Sequence, residues 1–598
     1  MRRLLVSISA AALGLLPAMP AAAATTVDAD DDLVTGQTWV RHDGGSDAAI
    51  QHCNDESTDP ASDDDPDDGD IDSNDGGSRR QNNEPFSVVD PTDPDVVVSG
   101  WNDYCLTDLG AGWQGFGFSN DAGETWTNSF VPGYPQDTST EGMASPLFGR
   151  HTEAGDPIAA FDSNGNLFVG GISFNRAGAI NGDVYVATYG AQDQPNGYPV
   201  DYLRTRVVGV GTPSRNFQGV FQDKPMLEVD RTGGEHDGNV YVCWSRFTGF
   251  GQNKLYFSRS TDMGETFSRP MPISRTKEII SVQGCDIAVE ADGDVFVTFR
   301  TFAAGRNPTA LAFARSTDGG ASFSRARLIR AITPYAPNDG TRDCGDGVFE
   351  CPTGYVFARI PLEPRVTADQ TGELDGVYLA YNEIRPDSIE TSETSYSSAG
   401  GGSVGQSLVY VVSTTDDGAT WSAPTPVDPQ PEGHQFFPDV DALSGALAVV
   451  WQDSRSDPCY SVQLPMGNTT DATSCGTDIV HTFVATSSDG VAFTPVADPA
   501  SDVAHQPEYE MFGNRHIPFQ GDYNWISLAE RADGSVFGYF TWTDNRDVVE
   551  GTDPREDSQD GFDVKQCRTE TDGTFGPDTC ANAGGLDQNI YGNSILIT

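Results

Sequence analysis

The sequence predicts an all-β protein built from a repeated four-stranded unit, and three observations support this fold class. An octet of the form Ser/Thr-x-Asp-x-Gly-x-Ser/Thr followed by Trp or Phe occurs four times. Between the copies lie short runs rich in Val, Phe and Tyr, bounded by Gly, Asp and Asn, which are typical of strands. Long amphipathic helix patterns are absent. Repetition on this scale predicts an array of similar β units.

The octet has the composition of a tight turn between two strands. Asp beside Gly is a turn signal, because the carboxylate can accept backbone N–H bonds and Gly tolerates a positive φ. The hydroxyl groups can close further local bonds, and the aromatic residue re-enters the sheet. The full copies are Ser119–Trp126, Ser260–Phe267, Ser316–Phe323 and Thr414–Trp421, and shortened copies lie at Ser487–Phe493 and Thr571–Phe575.

Each repeat has the same four parts: an apolar run ending near Asp, a run ending in an aromatic residue, a run leading into the octet, and a run leaving it. The first repeat shows the first three runs at 85–90, 96–101 and 115–118. We count seven such units of about 70 residues each. Radial packing of four-stranded sheets protects their edges, so residues 84–598 are predicted to form a β-propeller.

The N-terminal region divides into two predicted segments. Residues 1–24 have a basic start, an apolar stretch and an Ala-rich cleavage site, and are predicted to be a secretory signal peptide. Residues 25–83 are acidic and poor in apolar residues, and are predicted to be a disordered linker. The protein is therefore predicted to be secreted and extracellular, without membrane insertion.

The formal net charge of −53, with only four lysines, predicts a surface that repels nucleic acid and anionic membranes. Solubility or salt tolerance explains this charge, and calcium binding at acidic loops is an alternative. No cofactor and no metal ligands are predicted from motifs. The ten cysteines of an exported chain predict disulfides. Their spacing favours five pairs: Cys53–Cys105, Cys243–Cys285, Cys344–Cys351, Cys459–Cys475 and Cys567–Cys580.

In such a unit the octets lie at one face of the molecule, and the loops that could build a pocket lie at the other. At that second face the second strand repeatedly ends in an aromatic residue followed by charges, as in Trp451-Gln-Asp453-Ser-Arg455 and Trp542-Thr-Asp544-Asn-Arg546. Two interpretations are open. The charges form salt bridges between units, or they form an anion- or glycan-binding surface, because Arg suits carboxylates and Trp suits sugar faces.

The octet resembles the Asp box of the sialidase (neuraminidase) and related BNR-repeat propellers. This resemblance implies six blades, so the count of seven is either a seven-bladed relative or includes one elaborated loop. Sialidases carry an aromatic-Arg-Ile-Pro motif on their first blade, whereas the nearest match here, Phe357-Ala-Arg359-Ile-Pro361, lies in the fifth unit.

Carried over from the resemblance, Arg359 would bind a substrate carboxylate together with Arg455 and Arg546, Asp387 would be the acid/base, and Tyr523 the nucleophile. The resulting hypothesis is an exo-acting glycoside hydrolase of sialidase type, acting on sialic acid or other glycans. One alternative is a non-catalytic extracellular propeller that binds glycans or proteins. Another is a hydrolase of neutral polysaccharide using Asp453 and Asp544. The partner in either case is an extracellular glycan or glycoprotein, and the protein is expected to be a monomer.

Overall fold

The structure is a computed structural model of the 598-residue chain. It describes residues 24–35, 38–57, 81–106, 112–175, 181–191, 200–213, 219–249, 252–274, 276, 279, 281–304, 308–337, 363–393, 396–463, 479–507, 519–548, 554, 569–571, 573–575 and 588–598. The predicted all-β class is confirmed, because the described residues form 34 strands in mainly antiparallel sheets and only two α-helices.

The N-terminal region contributes three short strands and one helix. These are β1 (Thr25–Val27), β2 (Asp32–Leu33), β3 (Thr38–Trp39) and α1 (Ala48–Ser57).

The next two groups of four strands correspond to the first two predicted units. Unit 1 contains β4 (Asn82–Val89), β5 (Val97–Asp103), β6 (Trp113–Ser119) and β7 (Thr127–Phe130), and is followed by α2 (Thr140–Ala144). Unit 2 contains β8 (Glu153–Phe161), β9 (Leu167–Phe174), β10 (Gly182–Ala191) and β11 (Val200–Gly209). The strands of each unit pair in antiparallel fashion with their sequence neighbours.

Units 3 to 5 repeat this order. Unit 3 contains β12 (Val220–Val229), β13 (Val240–Thr248), β14 (Gln252–Ser260) and β15 (Met271–Pro272); unit 4 contains β16 (Val282–Val289), β17 (Val295–Thr301), β18 (Ala310–Ser316) and β19 (Arg327–Ala331). Unit 5 contains β20 (Arg365–Ala368), β21 (Val377–Ile384), then a small hairpin of β22 (Glu390–Thr391) and β23 (Ser403–Val404), and then β24 (Ser407–Thr414) and β25 (Thr425–Pro426).

Units 6 and 7 complete the series. Unit 6 contains β26 (Gln435–Leu443), β27 (Ala446–Asp453), β28 (His481–Ser487) and β29 (Thr494–Pro495). Unit 7 contains β30 (Trp525–Glu530), β31 (Val536–Asp544), a short hairpin of β32 (Glu570–Thr571) and β33 (Thr574–Phe575), and β34 (Asn589–Ile597).

The first strands of the seven units contact one another in cyclic order. β4 packs on β8, β8 on β12, β12 on β16, β16 on β20, β20 on β26, β26 on β30, and β30 on β4. A cavity of about 80 Å³ lies among them and is lined by residues from all seven strands. We call this space the channel. Apolar side chains of adjacent sheets fill the layers between the units, so the core is a ring of inter-sheet layers.

Unit 7 differs from the others because the N-terminal region supplies its outermost strand. β1 pairs with β34, and β2 extends the same edge. β3 pairs with β7 of unit 1, and α1 is fixed to that unit by the disulfide Cys53–Cys105. The prediction of a disordered linker over 25–83 is therefore corrected for residues 25–35 and 38–57. The reason is that open sheet edges of units 7 and 1 pair with β1, β2 and β3 through backbone bonds, and that the few apolar residues of the segment, such as Val34, Trp39 and Ile50, are buried in the core.

The four full octets adopt the predicted turn. In the octet of unit 3, Asp262 Oδ1 accepts the backbone N–H of Thr266 at 2.8 Å, and Ser260 Oγ accepts that of Gly264 at 2.9 Å. The same bonds recur in the other copies. The octets lie between the third and fourth strands, and their aspartates are consumed by the turn itself.

Two of the five predicted disulfides, Cys53–Cys105 and Cys243–Cys285, are confirmed. Cys459 is also disulfide-bonded, and the remaining predicted partners lie outside the described residues. Disulfides are typical of proteins in an oxidising, extracellular compartment. Among the described residues, no helix is long and apolar enough to cross a bilayer.

Candidate active site

The first strands present a repeated irregularity at one end of the channel. Because β4 and β5 pair with Asn82 opposite Asp103, the beginnings of the first strands and the ends of the second strands share one face, which we call the upper face. Five first strands carry a β-bulge there, namely β4, β8, β12, β16 and β26. A residue with positive φ marks each bulge: Glu84 (57°), Asp156 (52°), Lys224 (48°), Gly284 (64°) and Phe437 (50°).

Such a backbone conformation costs about 1–3 kcal/mol in a residue other than glycine, and it concentrates at functional sites. Glu84, Asp156, Lys224 and Phe437 each precede a proline, and Glu363 precedes Pro364 just before β20. Asp522 lies at the corresponding place before β30. We call Glu84, Asp156, Lys224, Gly284, Glu363, Phe437 and Asp522 the mouth ring.

Lys224 lies at the centre of this ring and links three units. Its Nζ is 2.7 Å from Glu363 Oε1 of unit 5 and 2.6 Å from Asp522 Oδ2 of unit 7. All three side chains are at most 9% exposed. A buried ammonium shared by two carboxylates forms an ion-pair network, and loss of the ammonium removes the cation that both carboxylates share.

Asp156 lies next to this network and is partly exposed. Its Oδ2 accepts the backbone N–H of Lys224 at 2.9 Å. Burial raises the pKa of Asp156, the Lys224 ammonium opposes the shift, and the carboxylates of Asp522 and Glu363 add to it. These interactions favour the protonated form of Asp156 relative to a carboxyl group in water.

Two glycines make the close approach of the other acidic side chains feasible. At Gly284 a Cβ would lie 3.0 Å from Glu363 Cγ, and at Gly521 a Cβ would lie 2.8 Å from the Glu84 backbone nitrogen. Both glycines also have positive φ, at 64° and 93°. A side chain at either position would push an acidic residue out of the mouth ring.

Tyr523 lies directly beneath the mouth ring and is 5% exposed. The Arg365 guanidinium lies 5.0 Å from the ring centroid of Tyr523 and 5.0 Å from that of Trp525. Burial holds the pKa of Tyr523 well above its usual range, and the negative charges of Glu84 and Asp156 add to this effect. A neutral phenol in acidic surroundings is a poor nucleophile at ordinary pH.

The other residues predicted for the site lie elsewhere. Asp387 lies on a single 3₁₀ turn, Pro386–Ser388, where its side chain is 81% exposed and pairs with Arg385 at 2.9 Å. Arg359 lies outside the described residues. Of the predicted catalytic and substrate-binding residues that are described, only Tyr523 lies at the mouth ring.

Arg455 and Arg546 each pair with an aspartate of their own turn and with an aspartate of another segment. Arg455 pairs with Asp453, and its Nη1 lies 2.6 Å from Asp428 Oδ2. Arg546 Nη2 lies 2.8 Å from Asp544 and 2.7 Å from Asp31. The two guanidinium groups therefore do not meet at one carboxylate site.

Asp453 and Asp544, which the sequence analysis predicts to bind substrate, are buried and make hydrogen bonds within the fold. Both carboxylates are 0% exposed. Trp542 Nε1 donates to Asp544 Oδ2 at 2.8 Å, and Trp451 Nε1 donates to Asp453 Oδ2 at 3.2 Å. Burial opposes the charge of Asp544, but His505 and Arg546 outweigh it and lower the pKa of Asp544. The described contacts of these residues are hydrogen bonds and salt bridges within their own turns.

No protein-family description and no curated protein matched the chain. Similar solved structures include a protein of unknown function from Dyadobacter fermentans DSM 18053 (TM-score 0.36, 11% identity, covering 68% of this chain and 95% of that one). They also include the Hadza microbial sialidase Hz136 (TM-score 0.36, 14% identity, covering 62% of this chain and 63% of that one). A third is the GH93 α-L-arabinofuranosidase of Fusarium graminearum in complex with arabinobiose (TM-score 0.35, 14% identity, covering 63% of this chain and 90% of that one). The chain spans less than two thirds of the Hz136 structure. These low scores do not carry the assignment of a function.

Proposed function

We propose that this protein is a secreted, seven-bladed β-propeller that acts on glycans, and that the mouth ring is its active site. The cyclic contacts among seven first strands support the blade count. The predicted signal peptide and the disulfides support secretion.

The observation that carries the proposal is the meeting of Glu363, Asp522 and Asp156 around Lys224 at the channel mouth. Hydrolysis of a glycosidic bond needs one carboxylic acid that protonates the leaving oxygen and one carboxylate that attacks the anomeric carbon or activates water. These roles require carboxyl groups in different environments. Asp156, with its raised pKa, is suited to be the acid. Glu363 and Asp522, which both contact the Lys224 ammonium, are placed to supply the second carboxyl group.

A neutral glycan fits this site better than a sialoside. The two side chains that contact Lys224, Glu363 and Asp522, are both acidic, so this ammonium is already engaged by carboxylates. A sialidase-type mechanism also needs an activated tyrosine, whereas the pKa of Tyr523 is raised. One observation favours the sialidase hypothesis: the guanidinium group of Arg365, which could bind a substrate carboxylate, lies against Tyr523.

The test is hydrolysis of a panel of 4-nitrophenyl glycosides of neutral pyranoses and furanoses, together with an α-sialoside, by the purified protein. We expect turnover of a neutral glycoside. Glu363→Gln, Asp522→Asn and Asp156→Asn should each reduce it by about 10²-fold or more, the scale of general acid–base catalysis. Glu373→Gln is the matched control, because Glu373 is exposed on the loop between β20 and β21 of the same unit as Glu363.

Turnover of the sialoside alone, abolished by Asp387→Asn, would replace this proposal with the sialidase hypothesis. Binding of glycans without hydrolysis of any member of the panel would instead identify a non-catalytic glycan-binding propeller.

A further inference from the structure

Asn102 lies near the end of β5, at the upper face, and contacts two members of the mouth ring at once. Its Nδ2 donates to Glu84 Oε2 at 2.7 Å and to Asn83 Oδ1 at 3.0 Å. Its Oδ1 accepts the backbone N–H of Asp156 at 3.0 Å. Asn102 is only 7% exposed, so water cannot readily replace these partners when they are lost.

The orientation of the Asn102 amide is fixed by its partners. Its oxygen faces the N–H donor of unit 2, and its nitrogen faces two acceptors of unit 1. Turning the amide over would place the oxygen against Glu84 and the nitrogen against the N–H group of Asp156, and the bonds would be lost. The amide therefore acts as a donor toward Glu84 and as an acceptor toward Asp156.

Asp156 depends on this acceptor because its backbone is strained. Its φ is 52°, a conformation that persists in a residue other than glycine only where the surrounding contacts hold it. Gly155 permits the close approach, since a Cβ there would lie 2.8 Å from Asn102 Oδ1. On its other side, Asp156 Oδ2 accepts the backbone N–H of Lys224 at 2.9 Å. Asn102 and Lys224 thus hold Asp156 from two sides.

These bonds form a continuous chain across three units. Glu84 of unit 1 is bonded to Asn102, Asn102 to Asp156 of unit 2, and Asp156 to Lys224 of unit 3. Asn102 is the link in this chain that carries no charge. Its replacement by another uncharged residue therefore changes how the mouth ring is held while leaving the charged residues of the ring in place.

Unit 5 carries the same residue type at the same strand position, and there the described side-chain hydrogen bond stays within the unit. Asn382 follows Tyr381 on β21 as Asn102 follows Trp101 on β5. Asn382 is 1% exposed, and its Nδ2 donates to Ser407 Oγ of β24 at 3.1 Å. Asn382 is therefore a matched control for Asn102: it is equally buried and hydrogen-bonded, but its described bond joins two strands of one sheet.

We propose that Asn102 is a positioning residue of the mouth ring, which holds the backbone of Asp156 and the carboxyl group of Glu84 in one fixed arrangement. This inference rests on the proposed function, because it concerns how the proposed acid is held in the same site. Without Asn102 Oδ1, the N–H group of Asp156 loses its acceptor and the strained backbone can relax. The carboxyl group of Asp156 would then leave the Lys224 N–H group and turn toward solvent.

The protonation of Asp156 reports where its carboxyl group lies. Burial raises the pKa of Asp156, and the Lys224 ammonium opposes the shift. A carboxyl group that turns toward water loses the main cause of its raised pKa, so the pKa should fall. The titratable groups that act on Asp156, or on which its charge acts, are Lys224, Asp522, Glu363, Tyr185 and Tyr523.

The experiment measures this protonation by carbodiimide coupling of glycine ethyl ester at a series of pH values, with the modified Asp156 peptide quantified by mass spectrometry. Asp156 is partly exposed and can react, and the yield falls as its carboxyl group ionises. We expect Asn102→Leu to move the midpoint of this fall to lower pH by about one unit. Asn102→Asp keeps an acceptor for the Asp156 N–H group and adds a carboxylate, so its midpoint should not fall. Asn382→Leu should leave the midpoint unchanged.

The second readout is turnover of the neutral glycoside. Asn102→Leu should lower kcat by about 10-fold to 100-fold and change KM less, as expected when a reacting group is misplaced. Asn102→Asp should also lower kcat, because Glu84 loses its donor and faces a second carboxylate. Asn382→Leu should retain the kcat of the unchanged protein.

An unchanged midpoint in Asn102→Leu would overturn the inference, and so would an equal shift in Asn382→Leu or a kcat that Asn102→Leu does not lower. If Asn102→Leu does not fold, Asn102→Asp decides: a midpoint that falls although the acceptor is kept would contradict the role of Oδ1, and one that does not fall, with a lowered kcat, would support it. If the unchanged protein hydrolyses no glycoside, the proposed reaction is rejected, and the midpoints of the variants still decide whether Asn102 positions Asp156.

Discussion

Asp439 of β26 accepts a hydrogen bond from the backbone N–H of Ile526 of β30, with Oδ2 2.8 Å from the nitrogen. The two residues belong to adjacent units, and the bond crosses the gap between their first strands. The same relationship joins Asp286 to Val366 and Asp441 to Leu528, each at 2.8 Å. A first strand has one edge without a strand partner, so its N–H groups need acceptors from elsewhere. These aspartates supply acceptors and at the same time hold neighbouring units together.

Replacing Asp439 should therefore weaken the contact between units 6 and 7. We expect Asp439→Ala to lower the free energy of unfolding by about 1–3 kcal/mol, because it leaves a buried N–H without an acceptor. Asp439→Asn should cost less, because its amide oxygen can still accept the bond. Denaturant titration measures both, and equal losses in the two variants would contradict the role of the hydrogen bond.

The buried carboxylates of the channel predict a pH dependence of stability. Burial raises the pKa of Asp439 to about 7, of Glu228 to about 7 and of Asp286 to about 6. The folded state then binds more protons than the unfolded state between about pH 4 and these values, so stability falls as pH rises through this window. We expect Tm to be several degrees higher at pH 5 than at pH 8, as measured by calorimetry. A Tm that rises from pH 5 to pH 8 would contradict this sign.

The contacts of Arg546 predict that it stabilises the folded protein, which a substrate-binding arginine on the surface would not do. It is 11% exposed, pairs with Asp544 and Asp31, and thereby joins unit 7 to the N-terminal region. Arg546→Ala should lower stability by about 3–5 kcal/mol, the usual cost of removing one member of a buried ion pair. Residues 25–33 should also become more accessible to proteases. Unchanged stability with weaker glycan binding would restore the earlier prediction for Arg546.

The octet glycine Gly123 can be compared with Gly238 of the loop between β12 and β13, because both have a positive φ. Gly123 has φ 110° and its missing Cβ would collide with the Tyr539 ring, whereas Gly238 has φ 79° and open space around it. Gly238→Ala should cost only the backbone strain of about 1 kcal/mol. Gly123→Ala should cost clearly more, because the ring or the turn must move. Thermal unfolding of the two variants measures the difference, and equal losses would show that strain alone decides.

Replacing Lys224 should change the pH profile of the enzyme activity that we propose. Lys224→Met leaves Glu363 and Asp522 buried without their shared cation, which raises carboxyl pKa values. The acid limb of the kcat/KM profile should therefore move to higher pH in this variant, with activity reduced at every pH. A reduced activity with an unshifted profile would limit Lys224 to holding the fold together.

Much of the fold was predictable because its signals are local. The octets and the runs ending in Trp identify turns and strands wherever they occur, and the described turn at Asp262 matches the prediction. The role of residues 25–35 was not predictable, because an acidic segment whose only larger apolar residues are Val27, Leu33 and Val34 gives no clear local signal for a strand. Their order depends on a sheet edge that lies more than 500 residues later in the chain.

The site was predicted less well, and for a specific reason. Trp542, Asp544 and Arg546 looked like a binding surface, but each polar group meets another within the same turn. A usable signal existed in the charged residue before proline at Glu84, Asp156, Lys224 and Glu363, because it repeats at the start of four units. The role of these residues could not be inferred from this signal, because it depends on the cyclic packing of the seven units, which brings residues distant in sequence to the Lys224 ammonium.

The pairing of β1 with β34 also has a consequence for engineering. Thr25, the first residue after the predicted signal peptide, pairs with Ile597 at the end of β34, so the two positions lie side by side. A short peptide could join them, while a new break at the open glycine turn around Gly233 and Gly238 would cut no sheet. In the resulting circular permutant, β34 and β1 would follow each other directly in the chain, and the new termini would lie in the loop between β12 and β13.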